Sequence, residues 1–238
     1  MSPVEPNHIY QYSLVNALMA GVSESGITTT QLLTKGNLGL GTFVRMDGEL
    51  LLLDDKVYQL QSHGKIREAA AHDQIPYAVC TQFVPEHTLS VNLAHKDAVD
   101  RVLQDVNPDA ENLFMAYRIT GTFSHARCRT VKGQEYAGQP LAELGQSQFV
   151  AEYKDVEGTV VGFRSPRAWQ GFFVAGEHLH FISDDRTFGG HVLELTAEQE
   201  VKFEVATVAD VHIELPRTKT FNAAKMETDD MGLKSVEG

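Results

Sequence analysis

The sequence predicts a β-rich α+β fold with a few short helices, on three observations. Helical spacing is confined to brief stretches in the first half of the chain. Apolar segments between residues 39 and 66 are cut by turn residues. From Val160 onward short β-type runs recur with turns between them.

Taken in order, Tyr10 to Ala20 carries Leu14, Val15, Leu18 and Met19 at helical spacing, and Gly21 offers a stop, so an amphipathic helix is expected there. TTTQLLTKG at 28–36 reads as a second helix, with a threonine cap at its start and Gly36 at its end. A third is expected over His95 to Val106, where Ala98, Val99, Val102, Leu103 and Val106 keep the period and Pro108 follows.

The stretch LGTFVRMDGELLLLDDKVYQLQSHGKI predicts a meander with turns at Asp47-Gly48, Asp54-Asp55 and His63-Gly64. PYAVCTQFV and NLFMAYRITGTF add two strands, and 136–148 reads as a connection or short helix. Beyond Val160, the runs VVGF, GFFVAG, HLHFIS, GGHVLEL, VKFEVATV and DVHIELP predict an antiparallel sheet or small barrel. The tail after Pro216 is polar enough to be read as mostly flexible.

Composition narrows the function classes. A formal charge of −12 argues against a phosphate-backbone binder, which would gather lysine and arginine on one face, so no nucleic-acid partner is expected. No apolar run approaches the roughly 20 residues needed to cross a bilayer, and the start lacks a basic stretch followed by an apolar one; neither anchor nor signal peptide is expected. Cys80 and Cys128 show no metal-binding spacing and are expected as reduced thiols, in the cytoplasm.

The segment GEHLHFISDDRTFGGHV, residues 176–192, carries the strongest chemical signal. His178 and His180 are one residue apart, so an extended strand sends both imidazoles from the same face. SDDRTFGG is rich in turn formers, and a chain reversal there brings His191 onto the neighbouring strand to complete a three-nitrogen set. Three histidines with open positions are the arrangement of a catalytic zinc-type site, whereas structural zinc sites are usually closed and rich in thiolate. Gly189 and Gly190 allow close backbone approach or unusual dihedrals before His191. Asp184 and Asp185 are open to three readings: ligands in an HxHxxxD pattern, acceptors for imidazole N–H groups, or turn residues.

That segment, together with GLGTFVRMDGEL around 39–50, RITGTFSHARCRT around 118–130 and the ending SVEG, resembles the bacterial α-acetolactate decarboxylase family from about Tyr10 to the last residue. The resemblance implies a zinc-dependent carboxy-lyase, commonly a dimer, built of two packed β-dominated domains. The first, about 1–145, holds a mixed sheet with helices; the second, about 146–238, holds an antiparallel sheet or small barrel with the histidines. It also implies His178, His180 and His191 as metal ligands, and Glu49 and Arg129 as polar active-site residues. Glu237 is implied as a glutamate of a tail that folds back into the site. Arg127 lies two residues from Arg129 and a regular strand puts both on one face; Arg129 is the residue in the matching position.

The implied substrate is a small 2-hydroxy-3-keto acid, 2-acetolactate, and the products are acetoin and carbon dioxide. Loss of carbon dioxide leaves an electron pair that moves onto the ketone oxygen as an enediolate. A divalent cation, zinc or another transition metal, held by neutral imidazoles keeps its charge and acts as a Lewis acid toward it. Arg129 offers a permanently charged fork for the carboxylate or an enediolate oxygen. Glu49 and Glu237 are the two candidates to deliver the proton. Thr42, in the GTF motif, is a candidate hydrogen-bond donor to substrate or a buried strand threonine. Two other classes fit the histidines: a cupin-like metal oxygenase with Asp184 as acidic ligand, and a non-catalytic metal- or ligand-binding module.

Overall fold

The computed structural model describes residues 5–146 and 148–226. Fifteen strands and five short α-helices are named among them: β1 (Ile9–Tyr12), α1 (Val15–Met19), β2 (Ile27–Thr28), α2 (Thr29–Leu33), β3 (Leu38–Thr42), β4 (Glu49–Leu53), β5 (Lys56–Leu60), β6 (Ile66–Glu68), β7 (Gln74–Ile75), β8 (Tyr77–Thr81), β9 (His87–Val91), α3 (Ala98–Val106), β10 (Phe114–Thr130), α4 (Leu141–Gly145), β11 (Phe149–Ser165), β12 (Gly176–Ser183), β13 (Gly189–Thr196), β14 (Val201–Val208), β15 (Val211–Glu214) and α5 (Lys219–Ala223). The β-rich α+β class follows directly.

A seven-stranded sheet runs β15-β1-β8-β3-β4-β5-β6, mixed because β1 pairs with β15 in parallel while its other ladders are antiparallel. A six-stranded antiparallel sheet runs β11-β12-β13-β10-β14-β9. Because β11 also pairs with β10, four of its strands close into a small barrel. Both sheets take strands from either side of residue 145: β15 edges the seven-stranded sheet, and β9 and β10 belong to the six-stranded one.

Strand alternation sorts the core into layers. The barrel interior gathers Phe123, Ala126, Cys128, Leu179, Phe181 and Val192, with α3 adding Val99 and Leu103. The barrel's outer face, through Val161, Phe163 and Ile182, packs on Leu38, Leu40, Leu51 and Leu53 of the seven-stranded sheet. That sheet's far face, Tyr10, Leu50, Leu52 and Cys80, is covered by Leu32 of α2 and Ile27 of β2. Cys80 and Cys128 are free thiols, and burial pushes both up to about 12.

The meander is present as expected. Its Asp54-Asp55 turn has both residues at positive φ, 49° and 63°, the conformation a two-residue hairpin needs. Helix α2 starts on a capping box, Thr28 accepting from the Gln31 N–H and Gln31 accepting from the Thr28 N–H. The third expected helix is α3.

Two expectations are corrected, and two further features go beyond them. Tyr10 to Ala20 is not one helix: Ile9–Tyr12 is a strand held between β8 and β15, Leu14 is extended, and only Val15–Met19 is helical. The strand is buried on both faces, so its sequence has no alternation to reveal it. GFFVAG is not a strand; Gly171 has φ 88° and the segment carries only an isolated bridge, Gln170 to Phe173. The exposed β9 and the first half of β11 are strands that their polar residues conceal. Polar composition does not keep residues 217–226 irregular throughout: Thr218 caps α5 by accepting from the Phe221 N–H, and Phe221 is buried.

Candidate active site

The histidines meet because of register. His178 and His180 leave β12 on the barrel's outer face, where Val161 and Phe163 are their partners across β11. The 184–188 turn reverses the chain, and β13 returns with His191 directly opposite His180. On its other side His191 lies opposite Arg129 of β10. One row across three strands therefore reads His180, His191, Arg129, with His178 two residues along β12. Gly190 makes the return possible: its φ is 154°, and a Cβ there would sit 2.5 Å from the Arg129 carbonyl oxygen.

The three rings lie 5.0, 5.2 and 5.6 Å apart between centroids, and one nitrogen from each falls within 4.8 Å of the others. All three side chains are buried. The seven-stranded sheet orients one of them. His180 Nδ1 lies 2.7 Å from the Leu50 carbonyl oxygen, which can only accept, so Nδ1 carries the proton of that hydrogen bond and Nε2 is the nitrogen turned toward the other two rings. Burial, then the Arg129 charge, pulls His178 down to about 3. The same two causes, in that order, hold His191 well below the ordinary histidine range. Buried imidazoles with converging nitrogens, His178 and His191 among them held neutral, suit a divalent cation, so this group can hold a metal ion.

Beside the trio lie two charged side chains. Glu49 opens β4 and faces the barrel; its Oε2 is 3.6 Å from His180 Nε2 and its Oε1 is 3.6 Å from Arg129 Nη1. Arg129 is 3% exposed, whereas the Arg127 side chain is 36% exposed and pairs with Glu194 at 2.7 Å and Glu152 at 3.5 Å. The two arginines share a strand face, as regular geometry requires, and the covering sheet distinguishes them. Thr42 is buried, and its hydroxyl donates to the Gly48 carbonyl at 2.7 Å. Glu237 lies outside the described residues.

A cavity opens against this group. Its polar wall includes Glu49, Arg129 and His178; its apolar wall includes Val15 and Leu18 of α1, Met46, Leu141 of α4 and Val174. Neither these apolar residues nor the Leu50 carbonyl were expected from the sequence. Apolar wall positions look like any core residue, and a backbone carbonyl leaves no side-chain signature. Asp184 and Asp185 are exposed turn residues. Asp185 accepts from Ser183 Oγ, the Thr187 N–H and Thr187 Oγ1, and Asp184 has no place in the histidine group.

Glu177 points from the same strand into the barrel side, where it accepts from the Tyr117 hydroxyl. Burial pushes its carboxyl up from 4.5 to about 7. An acid whose folded pKa is raised holds its proton more tightly in the folded state; its stabilisation is complete below the unfolded pKa and is lost as pH rises through the folded one. Stability should therefore decline between pH 4.5 and 7 through this group. Glu177→Gln is expected to melt higher than the unaltered protein at pH 8 but not at pH 4. Thermal melts at the two pH values check this, and equal shifts at both would exclude a titrating Glu177 as the cause.

The chain is similar to known proteins along most of its length. The sequence profile described as alpha-acetolactate decarboxylase matches residues 9–228, a span that includes Thr42, Glu49, Arg129 and the three histidines. The chain is 39% identical over 236 residues to the alpha-acetolactate decarboxylase of Raoultella terrigena, covering 96% of this chain and 89% of that one. It is 33% identical to that of Bacillus licheniformis, covering 100% and 95%. Its fold superposes on the crystal structure of alpha-acetolactate decarboxylase from Bacillus subtilis with a TM-score of 0.91 at 31% identity, covering 97% of this chain and 99% of that one. With a profile match across most of its length and relatives above 30% identity along nearly all of it, the chain belongs to the alpha-acetolactate decarboxylase family.

Proposed function

We propose that this protein is a metal-dependent carboxy-lyase that converts 2-acetolactate to acetoin and carbon dioxide, with His178, His180 and His191 as ligands of zinc or another divalent transition metal. The observation that carries the reading is the juxtaposition of three buried imidazoles with Arg129 and Glu49, of which His178, Arg129 and Glu49 line one cavity, in a chain of this family.

In the reaction, the bond between the carboxylate carbon and C2 breaks and its electron pair becomes the second bond between C2 and C3. The C3 carbonyl oxygen takes the negative charge, and a proton then returns to C2 to give acetoin. A bound divalent cation would supply Lewis-acid stabilisation of that charge. Arg129 supplies a fixed cation beside it and orients the substrate carboxylate. Too firm a grip on the ground state would retard its departure, so the larger benefit lies in the charge that develops later. Glu49 is positioned to carry a proton at the same place, and Glu237 is the second proposed proton carrier. The apolar wall formed by Val15, Leu18 and Leu141 faces the alkyl groups and limits water around the charged species.

Two features lie outside the chemistry. The buried free thiols support a reducing compartment, the cytoplasm. A homodimer is proposed on the family resemblance alone.

The experiment is to supply 2-acetolactate and measure acetoin with the unaltered protein and with His180→Ala. Turnover is expected in the first. In the second, metal content should fall below one ion per chain and acetoin formation should be lost. A His180→Ala protein with full metal content and a normal rate would remove His180 from the site.

A further inference from the structure

Two stretches of chain leave the Glu49–Arg129 contact side by side. One runs back from Glu49 through Gly48 to Arg45; the other runs on from Arg129 through Val131 to Gln134. They are laced together by the Gly48 N–H donating to the Val131 carbonyl at 3.2 Å and the Gln134 N–H donating to the Arg45 carbonyl at 2.6 Å. The Arg45 guanidinium donates back to the Gln134 carbonyl.

The first stretch is conformationally costly. Arg45 and Met46 are both left-handed, with φ of 62° and 53°, a region where a Cβ crowds the backbone. Such a pair persists only where its surroundings hold it. Arg45 is gripped on both sides: its N–H donates to the Ser23 carbonyl at 2.8 Å, and its carbonyl accepts from Gln134.

The Gln134 side chain joins the two grips. It is 3% exposed, and its Nε2 donates to the carbonyls of Gly21 at 2.9 Å and Gln139 at 2.8 Å. Its Oε1 accepts from the Ser23 hydroxyl at 2.6 Å. Only a primary amide of this length gives two protons to carbonyls and takes one from a hydroxyl. A carboxylate would face two carbonyl oxygens, and a leucine would leave all three partners unmatched.

Resting on the roles proposed above for Glu49 and Arg129, we infer that Gln134 is a positioning residue. By tying the Gly21–Ser23 segment to its own backbone, it holds Arg45 and Met46 left-handed and sets the alignment that puts Glu49 against Arg129. Gln134 touches no reacting atom; it acts through the backbone of the strand that bears Glu49.

The test uses the full-length, metal-loaded protein with Gln134→Leu, the double variant Gln134→Leu/Arg45→Gly, Ser23→Ala and Glu49→Gln. Gln134→Leu is expected to lower kcat by about tenfold or more, since misplacing a catalytic group by a fraction of its reach is costly, while metal affinity stays unchanged. Glycine adopts left-handed backbone without penalty, so Arg45→Gly should return most of the lost kcat in the double variant. The inference is overturned by a folded Gln134→Leu with normal kcat, by a loss that Arg45→Gly does not reverse, or by a loss that tracks metal affinity. Should Gln134→Leu fail to fold, Ser23→Ala takes its place: a several-fold fall in kcat supports the inference and no change overturns it. Glu49→Gln separates the two levels. Normal turnover in that variant defeats the underlying roles, whereas an inactive Glu49→Gln beside a normal Gln134→Leu defeats only the positioning role.

Discussion

Replacing Arg129 by alanine is expected to lower kcat on the order of 100- to 1,000-fold, the usual cost of removing one fixed group that stabilises developing charge. Arg129 is buried, stands beside His191 in register, and lies 3.6 Å from Glu49. Metal content should be preserved, because the guanidinium is not a ligand. Folding should weaken, since removing one partner leaves the Glu49 carboxylate buried beside a missing charge. Arg127→Ala is the internal control. Its side chain is 36% exposed and pairs with Glu152 and Glu194, so a near-normal rate is expected. Steady-state kinetics on both variants check the assignment, and a near-normal rate in Arg129→Ala would show that the wrong arginine has been chosen.

The second large effect is expected at the chain's end. Deleting Ser235–Gly238 removes Glu237 and should reduce turnover by about 100-fold or more, the typical contribution of a positioned acid or base, while the melting temperature changes little. The strands of the seven-stranded sheet, the six-stranded sheet and the small barrel all come from residues 5–226, which is why a small change in melting temperature is expected. The product provides a sharper readout than the rate. If Glu237 delivers the proton to one face of the intermediate, the truncated protein should yield acetoin of lower enantiomeric purity. An unchanged rate and an unchanged enantiomer together would remove the tail from the mechanism and leave Glu49 as the proton carrier.

What the sequence revealed of this site was local. His178 and His180 share a face through the two-residue strand period, and the turn formers at 184–190 specify the return that sets His191 opposite His180. Strand segments with alternating or continuous apolar residues bounded by Asp and Gly were likewise legible, as in β3, β4 and β5.

What stayed hidden depends on contacts between elements distant in sequence. The parallel pairing of β1 with β15 joins residues about two hundred positions apart, and nothing in IYQY or VHIE announces it. The same holds at the site itself. Arg127 and Arg129 are equivalent on the strand and differ only because the seven-stranded sheet covers one of them. The proton position on His180 is set by a main-chain oxygen from that sheet, at Leu50. Met46 reaches the cavity wall through a left-handed backbone that its sequence does not favour. Where local preference and the fold disagree, at residues 45 and 46, the disagreement sits within four residues of Glu49, which is where function is expected to demand it.

The most direct test of the whole account is to incubate the metal-loaded protein with 2-acetolactate in the absence of oxygen, following acetoin and its chirality before chelation, after chelation and after zinc is restored. One acetoin enantiomer is expected without any oxygen requirement, with loss of turnover when the metal is stripped and its return when a divalent ion is added back. Equal turnover by the metal-free protein, or a requirement for oxygen, would contradict it.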